Sequence, residues 1–285
     1  MENSNKITVV GAGTMGNGIA HVFAQNGFQV LLIDSEQAIL DKALVNISKN
    51  MDRQIKKNLL DEEKKKLALS NITSTTVLES IPKDTSLVLE AIFENYEAKL
   101  SLFNKLDSLC EPKTIFASNT SAISITQLGN NCRPDRFIGM HFMNPVPMMS
   151  LVELIRGYDT SDATYNTIYE FAKKLGKTPV CVNDYPGFIS NRILMPMINE
   201  AIFALYENVA SAEDIDTVMK LGMNHPMGPL TLADFIGLDV CLAIMNVLYE
   251  GFNDSKYRAC PLLKKMVAAG KLGRKTNEGF FKYPV

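Results

Sequence analysis

A glycine-rich segment near the start of the chain constrains the fold more than any other feature. The residues Gly11-Ala12-Gly13-Thr14-Met15-Gly16 follow the apolar run Ile7–Val10 and open a helical pattern that ends near Asn26. After a strand, the first glycine permits a tight turn, the second lets a pyrophosphate approach the backbone, and the third lets the helix pack on the strand. A glycine-rich turn without a ligand is the alternative interpretation.

An acidic residue at the end of the next strand favours the dinucleotide interpretation. Gln29–Ile33 forms a second strand-like run that ends at Asp34, about 20 residues beyond the glycines, where a ribose-binding acid is expected. A carboxylate there accepts hydrogen bonds from ribose hydroxyls and repels a 2′-phosphate, so we predict NAD rather than NADP. Asp34 can also act as a helix N-cap, alone or in addition.

Short apolar runs alternate with helical patterns through the first two thirds of the chain. Such alternation predicts a mainly parallel sheet covered on both faces. The expected strands after the first two are Leu87–Ile92, Thr114–Ala117, Arg136–Met140, Leu151–Ile155 and Pro179–Val182. After Pro186-Gly187 only helical periodicity remains. We therefore predict an α/β fold with a Rossmann-type NAD-binding domain over residues 1–185 and a smaller all-helical domain over residues 186–285.

The first helix of the second domain carries apolar residues on more than one stripe. Ile189, Ile193, Met197 and Ile202 do not share one face, so we expect burial on two sides. A second subunit can cover one of these sides, which predicts a homodimer through the helical domain. A helix central to its own domain is the alternative.

Composition excludes several classes of partner. The net charge of −2 and the pI near 6.0 provide no positive field for nucleic acid or an anionic membrane. The five cysteines contain no CxxC pair and are odd in number, which favours a reducing cytoplasm over a disulfide framework. The polar start MENSNKITVV leaves no room for a signal segment, and Asp234 and Asp239 interrupt the longest apolar stretch. We expect no membrane span and no metal site.

Five further blocks resemble the 3-hydroxyacyl-CoA dehydrogenase family in order and spacing. They are ASNTSAISIT, GMHFMNPVP, LVELIRG, PGFISNRIL and NHPMGPLTLADFIGLD. The resemblance runs from Lys6 to Tyr283 and is strongest to the bacterial short-chain branch, which uses 3-hydroxybutyryl-CoA and acetoacetyl-CoA. It implies NAD-dependent hydride transfer at C3 of an L-3-hydroxyacyl-CoA.

The resemblance also implies roles for individual residues. His141 is the expected acid/base, Glu153 its partner, and Ser121 and Asn191 the contacts to the reacting oxygen. Further cofactor contacts are expected, besides the glycine motif and Asp34, at Glu94, Lys99, Ser121, Asn144 and Lys275. The expected CoA-binding cations are Arg53 and Lys57. The chain departs from the family pattern at three positions, with Asp52 in place of a serine and Arg53 and Ser150 in place of lysines.

The residues themselves support a His–Glu pair. An imidazole titrates near neutral pH and suits proton transfer, although a lone histidine after an apolar strand is more often structural. His141 follows RFIGM at the carboxyl end of a strand, where open α/β sheets place their ligands. Glu153 alternates with apolar neighbours in LVELI, and a buried acid needs a partner.

Two other functions remain open at this point. One is a related NAD-dependent hydroxyacid or sugar-acid dehydrogenase that does not use CoA; Arg53 and Lys57 argue against it, although lysine-rich helices are usually just solvated faces. The other is a non-catalytic, crystallin-like dinucleotide-binding protein. The intact set of Ser121, His141, Glu153 and Asn191 argues against that alternative.

Overall fold

The computed structural model describes residues 5–284. It divides the chain into two compact units, one ending at Asp184 and one beginning at Tyr185. The outer limits of the two predicted domains, residues 1 and 285, lie outside the described residues. Part of the polar N-terminal segment lies outside them as well.

The first unit is built on one eight-stranded sheet in the order β3-β2-β1-β4-β5-β6-β7-β8. Its strands are β1 Lys6–Val10, β2 Gln29–Ile33, β3 Ile72–Thr75, β4 Leu87–Glu90, β5 Ile115–Ser118, β6 Phe137–Phe142, β7 Leu151–Arg156 and β8 Thr178–Asn183. All neighbouring strands run parallel except β6 and β7. The predicted mainly parallel Rossmann-type sheet, followed by helices, is confirmed.

Helices connect these strands and cover the sheet. They are α1 Thr14–Gln25, α2 Gln37–Lys56, α3 Glu62–Ser70, α4 Tyr96–Leu109, α5 Ile125–Gly129 and α6 Asp162–Lys174. The central strands β4, β5 and β6 are buried along their whole length, as expected for a parallel sheet covered on both faces. Because β1, β2, β4, β5 and β6 are parallel, their carboxyl ends lie at one edge of the sheet, and the residues at these ends build the candidate site.

The described part of the second unit contains helices and no strand, although isolated antiparallel bridges join Glu278 to Gly273 and Lys282. It contains α7 Ser190–Tyr206, α8 Ala212–Thr217, α9 Pro229–Ile236, α10 Leu238–Phe252 and α11 Pro261–Ala268. Helical periodicity runs from Leu230 to Tyr249 in the sequence and predicts one helix, but the helix is broken at Gly237, whose φ of +104° favours glycine. Asp234 is buried next to this break and accepts hydrogen bonds from Phe280 N and Phe281 N.

The helix α7 is only partly covered. Met195, Ile198 and Ile202 are buried in the core of the second unit, whereas Ile193 is 67% exposed. The predicted burial of α7 on two sides is therefore only partly reached within one chain.

No single helix within residues 5–284 is long and apolar enough to cross a bilayer. The helices α9 and α10 pass that test of length and composition only as a pair, which is bent by 98°.

Candidate active site

The glycine-rich loop has the geometry that a bound dinucleotide requires. Gly11 has a φ of +98°, and a Cβ there would lie 2.5 Å from the Ala91 carbonyl oxygen. A Cβ on Gly16 would overlap the Gly11 carbonyl oxygen, so the start of α1 packs directly on the turn. By contrast, no described atom lies within 4 Å of a Cβ built on Gly13. The first and third glycines are thus fixed by packing, while the second faces open space in which a ligand fits.

Asp34 is hydrogen-bonded to this loop. Its Oδ2 accepts from the Ala12 N–H at 2.7 Å, and its Oδ1 accepts from the Glu36 N–H at 3.3 Å. The N-cap of α2 is Glu36, so Asp34 does not have the alternative role of helix cap. Asp34, Gly11 and Gly13 line a cavity of about 570 Å³ together with Ser35 and Glu36. This volume and its carboxylate suit the adenosine half of NAD.

His141 and Glu153 form a buried pair. They are direct cross-strand neighbours in the antiparallel ladder between β6 and β7, and His141 Nδ1 lies 2.8 Å from Glu153 Oε2. The two residues are 8% and 2% exposed. Because a carboxylate oxygen accepts hydrogen bonds, this contact places the ring hydrogen on Nδ1.

Ser121 lies on the loop between β5 and α5, and Glu94 holds this loop. Glu94 Oε1 accepts from the Ser121 N–H at 2.9 Å, from the Ser121 hydroxyl at 3.3 Å and from the Thr120 hydroxyl at 2.5 Å. Glu94 Oε2 lies 3.3 Å from the ammonium of Lys99. The structure therefore brings together three of the predicted cofactor residues, namely Glu94, Lys99 and Ser121.

Lys99 is also paired with a second acid that the sequence analysis missed. Its Nζ donates to Glu90 Oε1 at 2.5 Å, and both side chains are almost fully buried. Glu90 also accepts from the Ile92 N–H and the Ser118 hydroxyl. Burial raises the pKa of Glu90, and Lys99 together with these hydrogen bonds opposes that rise. An acid at the end of the buried run LVLE was the sequence signal for this pair.

Arg53 and Lys57 line a separate cavity of about 530 Å³. Pro145, Pro147 and Met148 also line this cavity. Arg53 also lines an adjoining cavity of about 250 Å³ with Thr14 and Asn144, so the predicted CoA cations lie beside the start of α1.

Of the three departures from the family pattern, Asp52 has a side-chain partner within the protein. Asp52 lies 2.5 Å from Lys65 of α3, so its charge is neutralised within the protein rather than directed at a ligand. Ser150 is exposed, and its carbonyl oxygen accepts from the Thr178 N–H.

The remaining two predicted site residues belong to the second unit. Asn191 is buried in the first turn of α7. Lys275 forms an ion pair with Asp239 in the first turn of α10. Within residues 5–284 no group of three or more His, Cys, Asp or Glu side chains is placed to hold a metal ion.

Comparison with known proteins gives a consistent result over the whole chain. Residues 6–185 match the family model for the 3-hydroxyacyl-CoA dehydrogenase NAD binding domain, and residues 187–283 match that for its C-terminal domain. The chain is 57% identical to a probable 3-hydroxybutyryl-CoA dehydrogenase of Deinococcus radiodurans, covering 98% of this chain and 100% of the relative. A crystal structure of (S)-3-hydroxybutyryl-CoA dehydrogenase from Ralstonia eutropha superimposes with a TM-score of 0.96 at 50% identity, covering 99% of each chain. A diketoreductase that acts on dicarbonyl compounds superimposes with a TM-score of 0.86 at 30% identity, covering 99% of this chain and 100% of that chain.

Proposed function

Because the chain belongs to the 3-hydroxyacyl-CoA dehydrogenase family, we propose that it interconverts L-3-hydroxybutyryl-CoA and acetoacetyl-CoA through a His141–Glu153 acid/base pair. Family membership makes it an NAD-dependent oxidoreductase that acts on 3-hydroxyacyl-CoA. The observation that carries the proposed mechanism is the 2.8 Å contact between His141 and Glu153 at the carboxyl end of the sheet.

The glycine loop and Asp34 would hold the adenosine and pyrophosphate of NAD. The open space at Gly13 and the cavity at Asp34 support this assignment. Bound NAD supplies the acceptor for the hydride that leaves C3. The network from Glu94 and Lys99 to Ser121 would hold the nicotinamide half, and Asn144 and Lys275 stay predictions from the resemblance.

His141 would exchange the proton of the reacting oxygen. With the ring hydrogen on Nδ1 held by Glu153, Nε2 carries the lone pair that accepts the proton of the C3 hydroxyl during oxidation. The carboxylate of Glu153 stabilises the imidazolium that forms, as carboxylates do beside catalytic histidines in hydrolases. In reduction the imidazolium returns the proton to the ketone oxygen. Burial of both residues strengthens this charge interaction.

Ser121 and Asn191 would position the C3 oxygen. Glu94 fixes the backbone and the hydroxyl of Ser121, which limits the directions that the hydroxyl can take. A polar group held in one place lowers the entropic cost of reaching the reactive geometry.

The cavity at Arg53 and Lys57 would bind the CoA phosphates. Two exposed cations one helical turn apart suit phosphate oxygens. Asp52 does not oppose this role, because Lys65 neutralises it.

We also propose a homodimer through the second unit, the domain that would contribute to substrate binding and dimerisation. The exposed side chain of Ile193 on α7 supports it, together with exposed Leu221 and Met223. Light scattering is expected to give a dimer, and a stable monomer at micromolar concentration would contradict it. A cytoplasmic location without nucleic-acid or membrane partners stays a prediction from composition.

The decisive experiment follows NADH absorbance with purified protein. Loss of absorbance with acetoacetyl-CoA, but not with free acetoacetate, is expected. Equal or faster turnover of a dicarbonyl compound without CoA would favour the second candidate, a dehydrogenase that does not use CoA; the similar diketoreductase acts on dicarbonyl compounds. No turnover of any keto substrate would support the non-catalytic alternative.

A further inference from the structure

A buried lysine outside the proposed site holds two backbone carbonyl groups. Lys177 lies immediately before β8 and is 8% exposed, although lysine is normally solvated. Its Nζ donates to the Val146 carbonyl oxygen at 2.6 Å and to the Met149 carbonyl oxygen at 2.7 Å. Burial lowers the pKa of this ammonium. The Lys177 ammonium is therefore a costly buried cation, and both of these hydrogen bonds go to one short segment.

That segment, residues 145–149, is also fixed from other directions. The N–H groups of Met148 and Met149 both donate to the Pro145 carbonyl oxygen. On the other side Val146 packs against α1, because a Cβ built on Gly18 would lie 2.9 Å from the Val146 Cβ. Lys177 and Gly18 thus hold the same segment from two independent elements.

The segment forms one wall of the cavity that contains Arg53 and Lys57. Pro145, Pro147 and Met148 line this cavity, and the Met148 side chain is 75% exposed. Lys177 does not line it and acts from behind. An apolar wall opposite two cations suits a ligand with an apolar arm and phosphates.

We propose that Lys177 is a positioning residue for acyl-CoA binding, because its ammonium fixes residues 145–149 as the wall that faces Arg53 and Lys57. This inference rests on the proposed function, in which that cavity takes the CoA moiety. A loop that samples other arrangements lowers the fraction of protein competent to bind, and the apparent affinity falls by the same fraction.

A rearrangement of residues 145–149 should not change the chemical step. His141 lies in β6, where the ladder with β7 and the contact to Glu153 hold it. Phe142, the next residue, is held by a separate contact, because its N–H donates to Asn119 Oδ1 at 2.9 Å. Loss of the lysine is therefore expected to change KM for acyl-CoA rather than kcat.

The test is steady-state kinetics of NADH and acetoacetyl-CoA with Lys177→Met. This variant keeps the length of the side chain and removes the donors. We expect KM for acetoacetyl-CoA to rise about tenfold, with kcat and KM for NADH within about threefold of wild type. Lys173→Met, which removes an exposed lysine of α6, is the matched control and should leave all three constants unchanged.

A second variant reaches the same segment without touching the lysine. Gly18→Ala places a methyl group against Val146, so the segment must shift while α1 keeps a residue that favours helix. It should reproduce the selective rise in KM for acetoacetyl-CoA, and it tests the inference even if Lys177→Met does not fold.

Two results would overturn the inference. One is an unchanged KM for acetoacetyl-CoA in both variants, and the other is a parallel change of kcat and both KM values, which indicates general structural damage. Failure of the wild-type protein to reduce acetoacetyl-CoA would instead refute the proposed function, and the inference with it.

Discussion

His141 and Glu153 stand directly opposite each other on β6 and β7, the one antiparallel pair among the described strands, and their side chains meet at 2.8 Å. Residues opposite each other in an antiparallel ladder have Cβ atoms about 5 Å apart. The backbone register therefore sets the pairing before any side chain adjusts. An imidazole held in this way keeps one tautomer and one direction, which is what proton exchange at Nε2 requires.

Replacing the acid with its amide tests this relationship. In Glu153→Gln the amide group can donate to Nδ1, which moves the ring hydrogen to Nε2 and removes the base. We expect kcat to fall by about 10²–10⁴, as when the carboxylate beside a catalytic histidine is removed in other enzymes. Glu170→Gln, on the exposed face of α6, should have wild-type kcat. Equal kcat in both variants would show that the pair is only structural.

Asp34 should determine the choice of cofactor. A carboxylate about 4 Å from a 2′-phosphate near a protein surface costs several kcal/mol, so kcat/KM with NADPH is expected to lie about 10²–10³ below that with NADH. Asp34→Ala should bring kcat/KM with NADPH closer to kcat/KM with NADH. Asp41→Ala on α2 should leave the difference between the two cofactors unchanged. Equal efficiency of the two cofactors with the wild-type protein would show that the carboxylate does not select NAD.

The buried pair of Glu90 and Lys99 should matter for stability. Glu90→Gln removes the buried charge that pairs with the Lys99 ammonium, which keeps Glu94 at 3.3 Å and the Ile92 carbonyl oxygen at 3.3 Å. Breaking a buried ion pair from one side typically costs about 3–5 kcal/mol, and we expect a clear loss in Tm. The double variant Glu90→Gln, Lys99→Met should recover part of the loss in Tm, because neither of the two fully buried positions then carries a charge. A single variant with wild-type Tm would contradict this account.

His21 should make the protein acid-labile. Burial lowers the pKa of His21 to about 4, and its Nδ1 has no hydrogen-bond partner among the described residues. Because the unfolded histidine titrates near 6.5, the unfolded state binds more protons between these values, so stability is full above pH 6.5 and falls as pH drops toward 4.

The size of this effect follows from the shift. Between pH 7 and pH 5 the wild-type protein should lose about 2 kcal/mol through His21, or roughly 5 °C in Tm. Between pH 7 and pH 5 the His21→Gln variant should lose about 2 kcal/mol less stability than the wild-type protein. The carboxylates contribute equally to the loss in both proteins. Identical losses in Tm would show that His21 does not carry this pH dependence.

The sequence predicted the elements with strong periodicity. The runs at β1 and β2 were predicted within a residue, because apolar residues fill a buried strand and glycine or aspartate ends it. The four-residue edge strand β3, Ile72–Thr75, was missed, because three of its four residues are polar and edge strands are only partly buried. The break at Gly237 was missed as well, since one glycine in an apolar helical pattern is compatible with an unbroken helix.

The site was predictable where chemistry follows a local motif. The glycine loop and Asp34 directly follow strands, and His141 lies near the carboxyl end of β6, so the sequence singles them out as candidates. Glu90 was not found although it ends the buried run LVLE, and its partners Lys99 and Ser118 lie 9 and 28 residues away. Lys177 was not found because its partner Val146 lies 31 residues away in the chain. No local pattern reports contacts that only the folded sheet brings together.

The central claim is that His141 exchanges the proton at C3. Its most direct test compares His141→Ala with wild type in kcat for acetoacetyl-CoA reduction and in NADH affinity by fluorescence titration, with His225→Ala as the control. The account predicts a fall in kcat of about 10²–10⁴ with NADH affinity kept within about threefold. A His141→Ala protein that binds NADH normally and turns over at a rate near that of wild type would contradict it.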